Sequence, residues 1–263
     1  MPTTPRRSVM PYAIPLFLAF TALLCALVWL LGGTPLGRPH ATSSVPTAGQ
    51  ESSDQAAPLR CVVIDAGHGG EDGGTSSAAG LVEKEVNLSV AFALRDMMEA
   101  AGIPVVMTRT EDKLLYDRNV NFQGRKKVLD LAARRLIAEQ TAATYRGDSL
   151  FISIHMNAFP QLQYSGMQVW YGTGDPRSAE IAEAIQRAST TLMPENTRRI
   201  KEAGSNIYLL DRIKSPAVLI ECGFLSNPAE AARLAEESYR YALAAAIFGA
   251  VAPAVKGGAG GGT

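Results

Sequence analysis

The chain has 263 residues, 47% of them hydrophobic, with 25 Lys and Arg against 25 Asp and Glu. That length and apolar content suit one ordinary globular domain with additions at its ends. Zero net charge offers no basic face for nucleic acid, and three cysteines (Cys25, Cys61, Cys222) build no disulfide framework.

In chain order, Arg6 and Arg7 precede an uncharged apolar run from Pro11 to Leu31. About 20 such residues suffice to span a bilayer as a helix. A cleaved secretory signal, the alternative, has a shorter apolar core and a small-x-small site, and none is evident after Leu31. Leu24 before Cys25 and the apolar residues after it argue against a lipid-modified cysteine. The arginines favour a cytoplasmic N-terminus. The expected order is therefore a cytoplasmic segment at 1–10, a membrane signal anchor at 11–31 and an exported remainder. Residues 32–58, rich in Ser, Thr, Pro, Gly and Ala, read as a flexible linker, 59–252 as the folded domain, and the Gly-rich 253–263 as a disordered tail.

Within the domain, strands alternate with helices. CVVIDA (Cys61–Ala66) is a short, fully apolar strand; Val86–Gly102 has helical periodicity and a glycine stop. Strand Ile103–Arg109, helix Lys127–Tyr145, strand Ser149–His155 and strand Gly166–Gly172 follow. Helix Ser178–Leu192, strands SNIYLL (Ser205–Leu210) and AVLIECG (Ala217–Gly223), and helix Pro228–Val251 in two pieces complete the pattern. This predicts an α/β domain of three layers, with a mostly parallel or mixed sheet of about six strands flanked by helices. Cys61 and Cys222, on strands, are expected to be buried free thiols.

Function in such sheets gathers at the carboxyl ends of strands. His68 follows the first strand, His155 ends the third, Glu221 ends the last and Glu83 precedes the first helix. IDAGHGGEDGG is no phosphate loop: counted from Gly67, the third glycine position of a dinucleotide fingerprint is Asp72, and Asp65, Glu71 and Asp72 would repel phosphate. His68 alone reads as a turn residue; paired with His155 it reads as a metal ligand. Two imidazoles and one carboxylate, with a fourth position left for water, suit zinc without excluding manganese or iron. Glu83 and Glu85 both compete with the ordinary role of first-turn acids facing a helix dipole, so the third ligand stays open on these grounds. Glu221 is the natural proton shuttle.

Five motifs in order, IDAGHGGEDGG, EKEVNL, VVMTR, SIHMNA and LIECGFLSN, resemble the zinc-dependent N-acetylmuramoyl-L-alanine amidases of the amidase-3 type, over about Cys61–Val251. The resemblance implies Zn2+ held by His68, Glu83 and His155, and Glu221 as the catalytic acid/base. It implies peptidoglycan as substrate, cut between the lactyl group of muramic acid and L-alanine, with the N-terminal anchor in the membrane and, in some relatives, an activating protein partner. GMQVWYG, VLDLAARR and IECGFLSNPAEA are similar to the sporulation and germination branch, which implies a step towards muramic lactam in spore cortex. Ala66 stands where the family usually has proline before Gly-His, which predicts a looser loop. Asn157 and Arg134 are candidates for substrate binding, with Arg109 as an alternative to Arg134; both arginines also read as structural. Asp65 could orient a ligating histidine or cap the loop. Another zinc peptidase or amidohydrolase, or a wall-binding module without catalysis, are the rival readings.

Overall fold

The computed structural model describes residues 58–116 and 125–255. The anchor expected at 11–31, the cytoplasmic segment before it, nearly all of the linker and most of the glycine-rich tail lie outside the described residues. Among the described residues no helix is long and apolar enough to cross a membrane.

Among the described residues, six strands form one sheet. They are β1 (Cys61–Ala66), β2 (Val105–Met107), β3 (Ser149–Asn157), β4 (Gln168–Tyr171), β5 (Lys201–Glu202) and β6 (Ala217–Phe224), in the spatial order β2-β1-β3-β6-β4-β5. All neighbours are parallel except β4, which runs antiparallel to β6. The helices are α1 (Glu83–Ala100), α2 (Lys126–Thr144), α3 (Arg177–Ser189), α4 (Tyr208–Arg212), α5 (Pro228–Ala235) and α6 (Glu237–Val251). The mixed sheet of the expected three-layer fold is thus present, with helices on both sides.

Side chains alternate across a strand, so each sheet face takes every second residue. Val62, Ile64, Ala66, Ile152, Ile154, Val218 and Ile220 share one face and pack on Val90 and Leu94 of α1, Ile185 of α3 and Ile247 of α6. The opposite face holds a smaller cluster of Val63, Phe151 and Ala217, covered by Ala138 of α2 and by Leu209 and Leu210 of α4. Cys61 and Cys222 are buried and unbridged, and burial pushes the Cys61 thiol up to about 11.

SNIYLL is not a strand: Tyr208–Arg212 is helix α4. A short apolar run does not distinguish strand from buried helix. Here Leu209, Leu210 and Ile213 recur at helical spacing and are buried together in the smaller cluster. The sheet is completed instead by β5, two exposed polar residues that carry no apolar signal and pair with Trp170 and Tyr171. α1 also begins three residues before its periodic run, at Glu83, with Val82 extended before it. α5 starts on a cap readable in SNPAE: the Asn227 side chain accepts from the N–H groups of Ala229 and Glu230, with Pro228 in the first turn.

Candidate metal and catalytic site

Registers put the polar residues of the smaller-cluster face in line. Asp65 lies opposite Ser153, His155 opposite Glu221, and Glu221 opposite Gln168. Where β1 ends, the chain must pass the His155 ring. A Cβ on Gly67 would sit 2.3 Å from two atoms of that ring, so only glycine leaves room for it. His68 follows with φ +62°, a left-handed conformation that costs a non-glycine residue about 1 kcal/mol and must be held by its surroundings. The loop then turns tightly on paired backbone hydrogen bonds between Gly69 and Asp72. At Gly74 (φ +70°) a Cβ would strike the Glu83 carboxylate at 2.4 Å.

These constraints bring His68, Glu83 and His155 together: one ligand-capable atom from each lies within 4.8 Å of the others. Glu83 Oε1 is 3.2 Å from His68 Nε2 and 3.0 Å from His155 Nδ1. The same oxygen accepts from the Met156 N–H (3.1 Å) and Asn87 Nδ2 (3.4 Å), while Oε2 accepts from the Thr75 N–H (2.9 Å). Burial alone would raise the Glu83 carboxyl, but hydrogen bonds with His155 and His68 and their charges hold it well below the usual range. Burial would lower the His68 imidazole, yet Glu83 and then Asp72 raise it. A buried carboxylate flanked by two imidazoles, with no thiolate, is a donor set that can hold a divalent metal.

Glu221 stands beside this trio, one strand over. Its Oε2 is buried and has no hydrogen-bond partner. Burial pushes its carboxyl up to about 7, with the charges of His155 and His68 pulling against the shift and that of Glu83 adding to it. A carboxyl with that affinity both accepts and returns a proton near neutrality. The turn after it is fixed by buried Glu230, which accepts from the N–H groups of Phe224 (2.8 Å) and Gly166 (3.0 Å).

The arginines are placed under the site. Arg134 is 1% exposed and Arg109 2%. Arg134 donates to Asp65 (2.6 Å), Asp130 (2.7 Å), the Ala66 carbonyl (2.8 Å) and the His68 carbonyl (2.7 Å). Arg109 donates to the carbonyls of Ala66 (2.8 Å), Gly67 (3.0 Å) and Lys84 (2.8 Å). Both guanidinium groups are thus engaged with carboxylates and backbone carbonyls beneath the histidine loop. The looseness expected from Ala66 is offset too, because two buried guanidinium groups tie down the carbonyls of residues 66–68. Asp65 bonds Arg134, Thr108 (2.7 Å) and Ser153 (2.6 Å), without a histidine ring among its partners. The carboxylate beside His68 Nδ1 is Asp72, at 2.9 Å. Asn157 ends β3 with its side-chain oxygen accepting from the Ala158 N–H (2.8 Å), a turn cap.

Sequence reasoning missed Asp72 and Asn87. Each is four residues beyond a ligand candidate, Asp72 in the loop and Asn87 one helical turn after Glu83, and the second spacing was a usable signal. Asn87 is fully buried and also donates to the Gly67 carbonyl (3.2 Å), joining the start of α1 to the histidine loop.

Residues 62–253 match the sequence profile of the N-acetylmuramoyl-L-alanine amidase family, amidase-3 type. The chain is 36% identical over 189 residues to the germination-specific N-acetylmuramoyl-L-alanine amidase of Bacillus subtilis, covering 72% of this chain and 77% of that one. It is 30% identical over 188 residues to LytC, an N-acetylmuramoyl-L-alanine amidase of the same organism, covering 71% of this chain and 34% of that longer protein. Among solved structures it is similar to the CwlD amidase of Clostridioides difficile in complex with the GerS lipoprotein, at 35% identity and a TM-score of 0.68, over 74% of this chain and 97% of that one.

Proposed function

The chain belongs to the amidase-3 family of N-acetylmuramoyl-L-alanine amidases, and on that premise we propose a division of labour for its site. The reaction is hydrolysis of the amide between the lactyl group of N-acetylmuramic acid and the L-alanine of the peptidoglycan stem. His68, Glu83 and His155 are the ligands of a zinc ion, and Glu221 is the acid/base. The observation that carries this reading is the convergence of those three side chains within 4.8 Å, next to a buried carboxyl with an unpartnered oxygen.

When bound, zinc supplies polarisation of the scissile carbonyl and acidification of a water. The chain's own residues do the rest. Glu221, its carboxyl lifted by burial, takes a proton from the attacking water and returns it to the leaving nitrogen of L-alanine. One positioned carboxylate serves both transfers because the protons move in opposite senses. Asp72 lies 2.9 Å from the other ring nitrogen of His68, where its negative charge favours a proton on that nitrogen. Arg134, Arg109 and Asn87 hold the backbone carbonyls that aim the ring.

The similarity to a germination-specific relative supports action on spore cortex. The relative solved with a lipoprotein supports an activating protein partner. The apolar run at 11–31 supports a membrane anchor with the catalytic domain on the extracytoplasmic side. Digestion of purified peptidoglycan with and without chelator tests the reading. The expected products are free lactyl carboxylates and stem peptides with amino-terminal L-alanine, seen by mass spectrometry and lost with chelator. New ends elsewhere in the stem would assign the site to another peptidase, and a metal-loaded domain that cuts only with an added partner would make it partner-dependent.

A further inference from the structure

A small hollow opens beside the three clustered ligands, with His68, His155, Asp72, Lys127, Leu131 and Leu209 on its walls. The cations around it are almost all committed. Arg134 and Arg109 are buried on backbone carbonyls and carboxylates. Lys84 holds Asp112 (2.7 Å) and the Gly70 carbonyl (2.8 Å), and Lys126 pairs with Glu71. Lys127 is different. It is exposed on the first turn of α2 and makes no hydrogen bond or close ion pair among the described residues. The acids that share the hollow are already engaged: Asp65 and Asp130 by Arg134, and Asp72 by His68 and the Gly74 N–H (3.2 Å), with the charge of Lys127 acting on Asp72 only at longer range, without a hydrogen bond.

The leaving group of the proposed reaction is an acidic peptide. Its second residue is a glutamate joined through its side-chain carboxyl, so a free α-carboxylate sits a few bonds from the scissile nitrogen. We propose that Lys127 is the subsite for that carboxylate and sets a preference for stems whose second residue is unamidated. This rests on the amidase reading above. A flexible ammonium at the lip of the hollow reaches a carboxylate that the buried arginines cannot, and it adds no charge to the metal-binding trio. Leu131 and Leu209, which line the same hollow, reduce the water around such a pair and strengthen it.

The test compares soluble glycan strands carrying L-alanyl-D-isoglutamyl stems with strands carrying L-alanyl-D-isoglutaminyl stems, using the full-length zinc-loaded protein. The wild type is expected to favour the acidic stem. Lys127→Ala should raise KM for that stem about tenfold, the scale of one charge-assisted hydrogen bond, while KM for the amidated stem changes less than about twofold. Lys127→Arg should keep the preference and Lys127→Glu should reverse it. Equal losses on both stems, or an unchanged preference in Lys127→Ala, would overturn the subsite. Failure of the amidase reading looks different: the wild type would then release no peptide with amino-terminal L-alanine from either strand.

Discussion

On one face of the sheet, β1, β3 and β6 carry Val62, Ile64, Ile152, Ile154, Val218 and Ile220. On the other face, one residue along the same strands, they carry Asp65, Ser153, His155 and Glu221. The first face is fully apolar and lies under α1, α3 and α6; the second has a smaller apolar cluster near the strand starts and turns polar towards their carboxyl ends. A two-residue period thus lets one strand supply a core and a reaction centre at once. The apolar face stabilises without directional demands. On the polar face the buried carboxylates are met one by one, Asp65 and Asp130 by Arg134 and Glu83 by the two histidines, while Arg109 ties down backbone carbonyls. Glu221 is left with one oxygen unpartnered.

Substitutions on the two faces should separate stability from activity. The largest effect is expected from Glu221→Gln. If Glu221 is the acid/base proposed above, its removal should lower kcat for peptide release about 10³-fold. Metal content should stay near one per chain and the thermal midpoint should not fall, because the buried carboxyl gains nothing from a partner. Retained turnover would remove Glu221 from the reaction.

Asp65→Ala is the next largest and the case where the faces meet. It removes one of the two carboxylates paired with buried Arg134 and leaves Thr108 and Ser153 without their acceptor, and should cost about 3 kcal/mol in denaturant unfolding. It should also weaken zinc binding, since Arg134 holds the His68 carbonyl. Asp65 gives a pH signature as well. Burial alone would raise its carboxyl, but Arg134 and the hydrogen bonds from Ser153, Thr108 and Arg134 hold it below the usual carboxylate value. A depressed folded value contributes stability that is complete above the unfolded pKa, about 3.9, and is lost as pH falls through the folded one. Wild-type stability should therefore drop from about pH 4 downward, and acid titrations of the unfolding midpoint should show a flatter limb in Asp65→Ala.

Ile152→Val, on the apolar face, is the smallest change. It removes one buried methylene and should cost about 1 kcal/mol of stability, with kcat, KM and zinc content unchanged. A fall in activity larger than the loss of folded protein would show that the faces are not independent.

How much of this was legible beforehand depended on the range over which each signal acts. The positions of His68, His155 and Glu221 at strand ends followed from short apolar runs, which are local. α1, α2 and β3 were found within a few residues for the same reason. SNIYLL failed because its apolar run is too short to carry a period, and β5 because two polar exposed residues carry none. The burial of Arg134 was only partly legible: Asp130 stands one helical turn before it, but its other partners Asp65 and His68 are nearly 70 residues away in sequence. No spacing rule announces a charge neutralised at that distance. Asp72 shows in the sequence only as a charge that repels phosphate, because the turn that folds it back onto His68 depends on glycine conformations that the letters permit without requiring.

Gly67 has a use beyond this molecule. Its missing side chain is the space that the His155 ring fills. A related chain that keeps both histidines and both glutamates but carries a larger residue at this place would have to move the second histidine ring away from the first, so the proposed ligand set could be spelled out in the letters and still be pulled apart in space.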